Sequence, residues 1–383
     1  MRILFVLLLG CLFACSSNSE LSQKNARETW TSAGLSVDVS DAENLGTGIE
    51  TVVSVGEFLF ARNDRQIDGE RRYQLFQGKI GSLLWKELEL PDGDIPNVLF
   101  ADSGILYVGT FFSSGGARLW MFDTQTENWS RRDIPVLDKR YPISDSAYGI
   151  DGIAKFRGRL VLSFSRGVFG ETNPIYFESA DGSWTNWNRG FPAEESFMRA
   201  EEWNGSLFAM TYGKGIFRFD LSDTTWHAVS APNVSCDNGV WNDSSLLARD
   251  AVPGNGELFV GYANLEGVFS LSERGTWAQK VDCSLRHTEN DVLLVSRSPA
   301  SVYRFVPFHR KLLALGEGSA VYFPSENRWL ELPPISGVSE ILDGTIAKDT
   351  LYVAAFQKGV MKMPTSFLDS ILYNQTIISE VTK

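Results

Sequence analysis

"RETWTSAGL", residues 27–35, stands near the start of the chain but reads like the end of a repeated unit. Three later stretches share its layout: "SDTTWHAVS" (222–230), "ERGTWAQKV" (273–281) and "SENRWLELP" (325–333). In each of these a Trp strand closes a unit that has already laid down two β-rich runs. The first run reads "GEFLF" (56–60), "GILYVGT" (104–110), "GRLVLSF" (158–164), "GSLFAMTY" (205–212), "GELFVGY" (256–262), "RKLLALG" (310–316) and "DTLYVAA" (349–355). The second reads "YQLFQ" (73–77), "ARLWMFD" (117–123), "PIYFES" (174–179), "GIFRFD" (215–220), "GVFSLS" (267–272), "AVYFP" (320–324) and "GVMKM" (359–363). Third strands are marked by Trp85, Trp129, Trp184 or Trp187, Trp226, Trp277 and Trp329.

Alternating apolar and polar residues rich in Tyr, Phe and Val specify strands, and the short polar or glycine turns specify antiparallel hairpins. A further strand candidate precedes each first run, as in "IETVVSV" (49–55), "FMRAEEW" (197–203) and "VYRFVPF" (302–308). Four strands in a period of about 49 residues is the signature of a β-propeller blade. One blade cannot bury both faces of its sheet, so the blades must form a closed ring. The seventh unit ends at "GVMKMP" without its Trp strand, and "RETWTSAGL" is the missing piece. The expected fold is therefore all-β: seven four-stranded blades, with Trp30 on an N-terminal strand that completes the last. Loop insertions leave six or eight blades as alternatives.

The unit resembles kelch-like propellers and the sensor propellers of bacterial two-component regulators. Asp123, Thr126 and Trp129 match the turn of those families, and the resemblance covers about residues 28–363. Kelch repeats carry a double glycine after the second strand, whereas "YVGT", "FVGY" and "LALGE" have one. "SADGSWTNW" (179–187) is similar to the Asp-box of sialidases but one residue short. That motif is a structural turn and implies no glycosidase.

The first residues, "MRILFVLLLGCLFACSSNSE", follow the plan of a secretory signal: Arg2, then an apolar run from Ile3 to Phe13. Such a run would span roughly 16 Å as a helix, about half a bilayer core. Leu12, Ala14 and Cys15 resemble the lipobox of bacterial lipoproteins. The resemblance implies cleavage before Cys15, lipidation of that residue, and, with Ser16 and Ser17 following, transfer to the outer membrane of a bacterial envelope. An ordinary signal peptide is the alternative. Three segments result: a signal at 1–14, a polar tether at 15–27, and one propeller domain at 28–383. The formal charge of −12 argues against nucleic acid and against adsorption to an anionic membrane face. Membrane contact is then expected through the lipid. In an exported body Cys236 and Cys283 suit a disulfide, with two separate thiols as the alternative. The bridge would close a loop of about 48 residues, worth on the order of 4 kcal/mol.

His227, His287 and His309 fall at unrelated points of the repeat, and neither they nor the cysteines show metal-ligand spacing. No phosphate loop, dinucleotide fingerprint or nucleophile elbow occurs, so neither cofactor nor metal is expected and no catalytic residue is assigned. Aligning the first strands of the units yields one column of charges: Glu50, Asp151, Arg199, Asp250, Arg304 and Asp343, with Asn97 as the approximate partner in the second unit. These side chains could converge at one mouth of the channel and bind a carboxylate or a sugar. Alternatively they neutralise one another around a wet axis. The Trp series is expected to pack between blades, leaving Trp120, Trp203 and Trp241 for exposed recognition. Three functions fit: a non-catalytic module binding a protein or glycan, an exported polysaccharide hydrolase or lyase, or an outer-membrane assembly factor.

Overall fold

Strand patterning and hairpin turns combine into a ring in the computed structural model. It describes residues 29–36, 48–67, 70–111, 117–134, 149–165, 175–193, 195–232, 247–263, 267–281, 286–289, 292–295 and 299–369. Seven four-stranded antiparallel sheets are present, each running from an inner to an outer strand. The inner strands are Gly48–Val55, Pro96–Asp102, Ile150–Phe156, Phe197–Trp203, Ala248–Gly254, Ser301–Phe308 and Ile341–Ala347. We number the blades one to seven in that order. Tight turns join inner to second strands, and at Asn204–Gly205 and Asn255–Gly256 both residues have positive φ. That geometry matches the right-handed twist of the strands it connects. A two-stranded hairpin, Arg286–Glu289 with Val292–Val295, is inserted between blades five and six. This insertion stretches the unit without adding a blade.

Blade seven joins the two ends of the chain. Its sheet runs Ile341–Ala347, Thr350–Ala355, Gly359–Pro364, then Thr31–Ser32, with Thr31 opposite Lys362 and Ser32 opposite Met361. The pairing continues as Ala33 N donates to Val360 O at 2.9 Å and Val360 N to Leu35 O at 2.8 Å. Trp30 is 6% exposed and packs with Leu332, Ile335 and Met363.

Seven apolar clusters fill the ring, one at each seam between neighbouring blades. The Trp strands add a second tie. Trp85 Nε1 donates to Ala33 O, Trp184 to Asp133 O, Trp226 to Trp187 O, Trp277 to Ser230 O and Trp30 to Pro333 O, all between 2.5 and 2.8 Å. Each acceptor lies three or four residues beyond the Trp of the preceding blade, so the outer strands are latched at five of the seven seams, whereas Trp329 Nε1 is buried without a partner among the described residues. Trp184 is the strand residue of blade three. Trp187 instead stacks between Phe177 and Phe219, with ring centroids 4.0 and 4.1 Å away.

Two aromatics expected at the surface are buried. Trp120 belongs to the third strand of blade two and faces the seam with blade one, where its Nε1 donates to Asp94 Oδ2 at 2.8 Å. Trp203 ends the inner strand of blade four and packs against Phe208 in the seam with blade five. Period-two alternation turns both inward, although neither lies in the Trp register. Trp241 lies outside the described residues.

Candidate functional site

Every inner strand has the same irregularity near its start. The pairing slips between Ile49 and Thr51, Pro96 and Val98, Ile150 and Gly152, Phe197 and Arg199, Ala248 and Asp250, Val302 and Arg304, and Ile341 and Asp343. A bulge of this kind leaves one extra residue unpaired and re-aims its side chain. The extra residues are Glu50, Asn97, Asp151, Met198, Arg249, Tyr303 and Leu342, and all of them line one cavity of about 1050 Å³ that opens at the bulged strand starts and runs along the inner strands past Ser54, Ala101 and Glu201.

The bulges correct the single charge column expected from sequence. Glu50, Asn97 and Asp151 are bulge residues, whereas Arg199, Asp250, Arg304 and Asp343 stand one position later, back in the ladder. A bulge adds a residue without changing apolar spacing, so alignment by charge alone merged two structural columns.

The ladder residues form a closed quartet from blades four to seven. Arg304 lies 3.5 Å from Asp250 and 3.3 Å from Asp343, while Arg199 lies 3.3 Å from Asp343 and 3.9 Å from Asp250. Both carboxylates are buried and also accept backbone hydrogen bonds. Phe305 N donates to Asp250 at 2.7 Å, and Asp343 accepts Val52 N at 3.3 Å and Gly344 N at 2.8 Å. Burial opposes the charge on Arg304, yet Asp250, Asp343 and Glu201 together raise its pKa. Two cations and two anions therefore cancel across the axis, as in the neutralising alternative.

The bulge residues are less uniform. Glu50 pairs with Arg62 of the second strand. Asp151 accepts Ser196 Oγ at 2.7 Å and Asn97 Nδ2 at 3.1 Å. Burial pushes its pKa up, against the hydrogen bonds from Ser196, Ser165 and Asn97. Glu201, two residues beyond Arg199 on the same strand face, also lines the cavity. Burial first, then the neighbouring Asp250, pushes its carboxyl up to about 7. The Arg249 guanidinium lies 5.0 Å from the ring of Tyr212 and 5.7 Å from that of Tyr303. The Tyr303 phenol is pushed up by burial and by the Glu340 carboxylate.

Met198, Arg249, Tyr303, Leu342, Glu201 and Arg62 were missed in the sequence. A signal for the bulge residues does exist, because each directly follows a buried residue at the first or second position of the strand: Ile49, Pro96, Ile150, Phe197, Ala248, Val302 or Ile341. Among the described residues no group of three or more His, Cys, Asp or Glu could hold a metal ion. His227 is on an outer strand, 2.9 Å from Asp223, and His309 is in a hairpin turn. Cys15, Cys236 and Cys283 lie outside the described residues, as does the side chain of His287.

No family model matches the chain, and no curated protein does. Solved structures do. A catalytically inactive histidine-to-alanine variant of virginiamycin B lyase from Staphylococcus aureus, crystallised with quinupristin, is similar at 14% identity and a TM-score of 0.56, over 86% of this chain and 98% of that one. A puromycin-hydrolyzing peptidase from Mycobacterium tuberculosis is similar at 11% identity and a TM-score of 0.56, over 88% of this chain and 53% of that one. At such identities the likeness shows the fold, a seven-bladed β-propeller.

Proposed function

We propose that this propeller is a lipid-anchored, non-catalytic binding module of a bacterial envelope, taking a glycan or protein ligand at the bulged mouth. The observation that carries the reading is the closed quartet of Arg199, Asp250, Arg304 and Asp343. Carboxylates held by two guanidiniums and backbone amides have their oxygens already engaged, and the quartet forms a rigid part of the cavity wall. Inner strands begin at the mouth, and successive strands alternate in direction. The outer strand of blade seven therefore begins on the opposite face. A tether entering there would leave the mouth pointing away from the membrane. The lyase similar in fold is inactive when one histidine is replaced, whereas neither His227 nor His309 lines the cavity here.

A second reading, an exported polysaccharide hydrolase or lyase, draws on Glu201, whose pKa of about 7 would suit a general acid. The first reading is tested with residues 28–383 on a glycan array and in envelope pull-downs, alongside fractionation of full-length Cys15→Ala. Saturable capture of a ligand by the wild type is expected, together with loss of membrane partition in the variant. No ligand in either screen would remove the binding claim, and unchanged partition would remove the anchor.

A further inference from the structure

The charges round the mouth are not equivalent. Glu50 is paired with Arg62, and Arg199 and Arg304 are consumed by the quartet. Arg249 differs: among the described residues no carboxylate lies within ion-pair distance of it. Its Nη1 meets only the weak acceptor Met198 Sδ at 3.6 Å, and its Nε is buried without a hydrogen-bond partner. A guanidinium is a flat fork of donors matched to a carboxylate, and here the fork is largely unspent. Two tyrosine rings hold it in place, and one of them, Tyr212, is 59% exposed. An aromatic face beside a cavity is a platform for the apolar face of a sugar ring.

Past Met198 of blade four, on blades three and two, the wall changes character. Asp151 and Asn97 are held at the bulges with Ser196 beside them, the hydroxyl 2.7 Å and the amide nitrogen 3.1 Å from the Asp151 carboxyl oxygens. Burial pushes the Asp151 carboxyl up, against the hydrogen bonds from Ser196, Ser165 and Asn97. The cavity thus has one unspent cation, one exposed ring and one polar wall, along adjacent blades five, four, three and two.

Taking the binding-module reading as given, we infer that the ligand is an acidic carbohydrate: a uronate carboxylate on Arg249, its ring against Tyr212, and its hydroxyls toward Asp151, Asn97 and Ser196. The test is calorimetry of residues 28–383 with an oligogalacturonate and an oligoglucuronate, and with their carboxyl-reduced counterparts. Arg249→Gln and Tyr212→Ala are compared with Arg218→Gln, a change on an exposed outer position, and thermal melts check folding. The native oligosaccharide should bind at least about tenfold more tightly than the reduced one, and Arg249→Gln should erase that difference. Tyr212→Ala should weaken both ligands alike. Equal affinity for native and reduced sugars, or full affinity in Arg249→Gln, would overturn the inference while leaving a binding module in place. Silence of both uronates, with capture of a peptide through its free C-terminus or of a neutral glycan, would also overturn it. Absence of every ligand in the array and pull-down would instead remove the underlying reading.

Discussion

Trp30 Nε1 donates a hydrogen bond to the carbonyl of Pro333, at 2.8 Å and across 303 residues of chain. The same latch recurs between other neighbouring blades, so the N-terminal strand behaves as one outer strand among seven. What sets it apart is covalent: it is the only one reached from the opposite end of the chain. Closure therefore depends on an element that a truncation can remove.

Deleting the residues before 36 should open the seam between blades six and seven. Trp30→Ala alone should cost about 3 kcal/mol or more, the usual loss for a large buried aromatic. Melting of chains starting at residues 28 and 36, and of Trp30→Ala in the longer one, checks this. The shorter chain should melt far lower or aggregate, with Trp30→Ala sharing most of the loss.

Stability should fall between weakly acidic and weakly alkaline pH because of Glu201. Its folded pKa of about 7 lies above the ordinary value for the unfolded chain, so folding favours the protonated form. The associated stability is fully present below the unfolded value and is lost as pH rises through about 7, on the order of 3 kcal/mol at most. Urea midpoints on either side of that range should show the decline, and Glu201→Gln should flatten it.

Breaking the quartet from one corner should be expensive. Arg304→Met leaves buried Asp250 and Asp343 to share Arg199, and about 3 kcal/mol of stability should go. Denaturant unfolding measures it. A change within a few tenths of a kcal/mol would mean that solvent already carries these charges.

Cys236 and Cys283 follow the Trp strands of successive blades by ten and six residues. Export into an oxidising compartment should join them, and a non-reducing digest should contain the linked peptide. Two freely alkylated thiols would show the opposite.

Much of the ring was legible because its rules are local and repeated. Alternation marked the strands, polar and glycine turns marked the hairpins, and the misplaced Trp30 revealed the closure. The mouth was legible only in part. Glu50, Asp151, Arg199, Asp250, Arg304 and Asp343 were found by their charge, but the bulges that split them into two columns leave no gap in the sequence. Arg249 and Tyr303 stood hidden one place before Asp250 and Arg304. Trp120 and Trp203 misled for a related reason: being outside the Trp register says nothing about which sheet face a residue takes.

Whether the mouth binds or cuts its ligand is settled by following both events on one sample. Residues 28–383 are mixed with each polysaccharide retained on the array, and bound mass, new reducing ends and unsaturated ends are measured over time. The account predicts saturable retention with chain length unchanged. Steady shortening of a bound chain, abolished by Glu201→Gln or Asp151→Asn with folding intact, would contradict it.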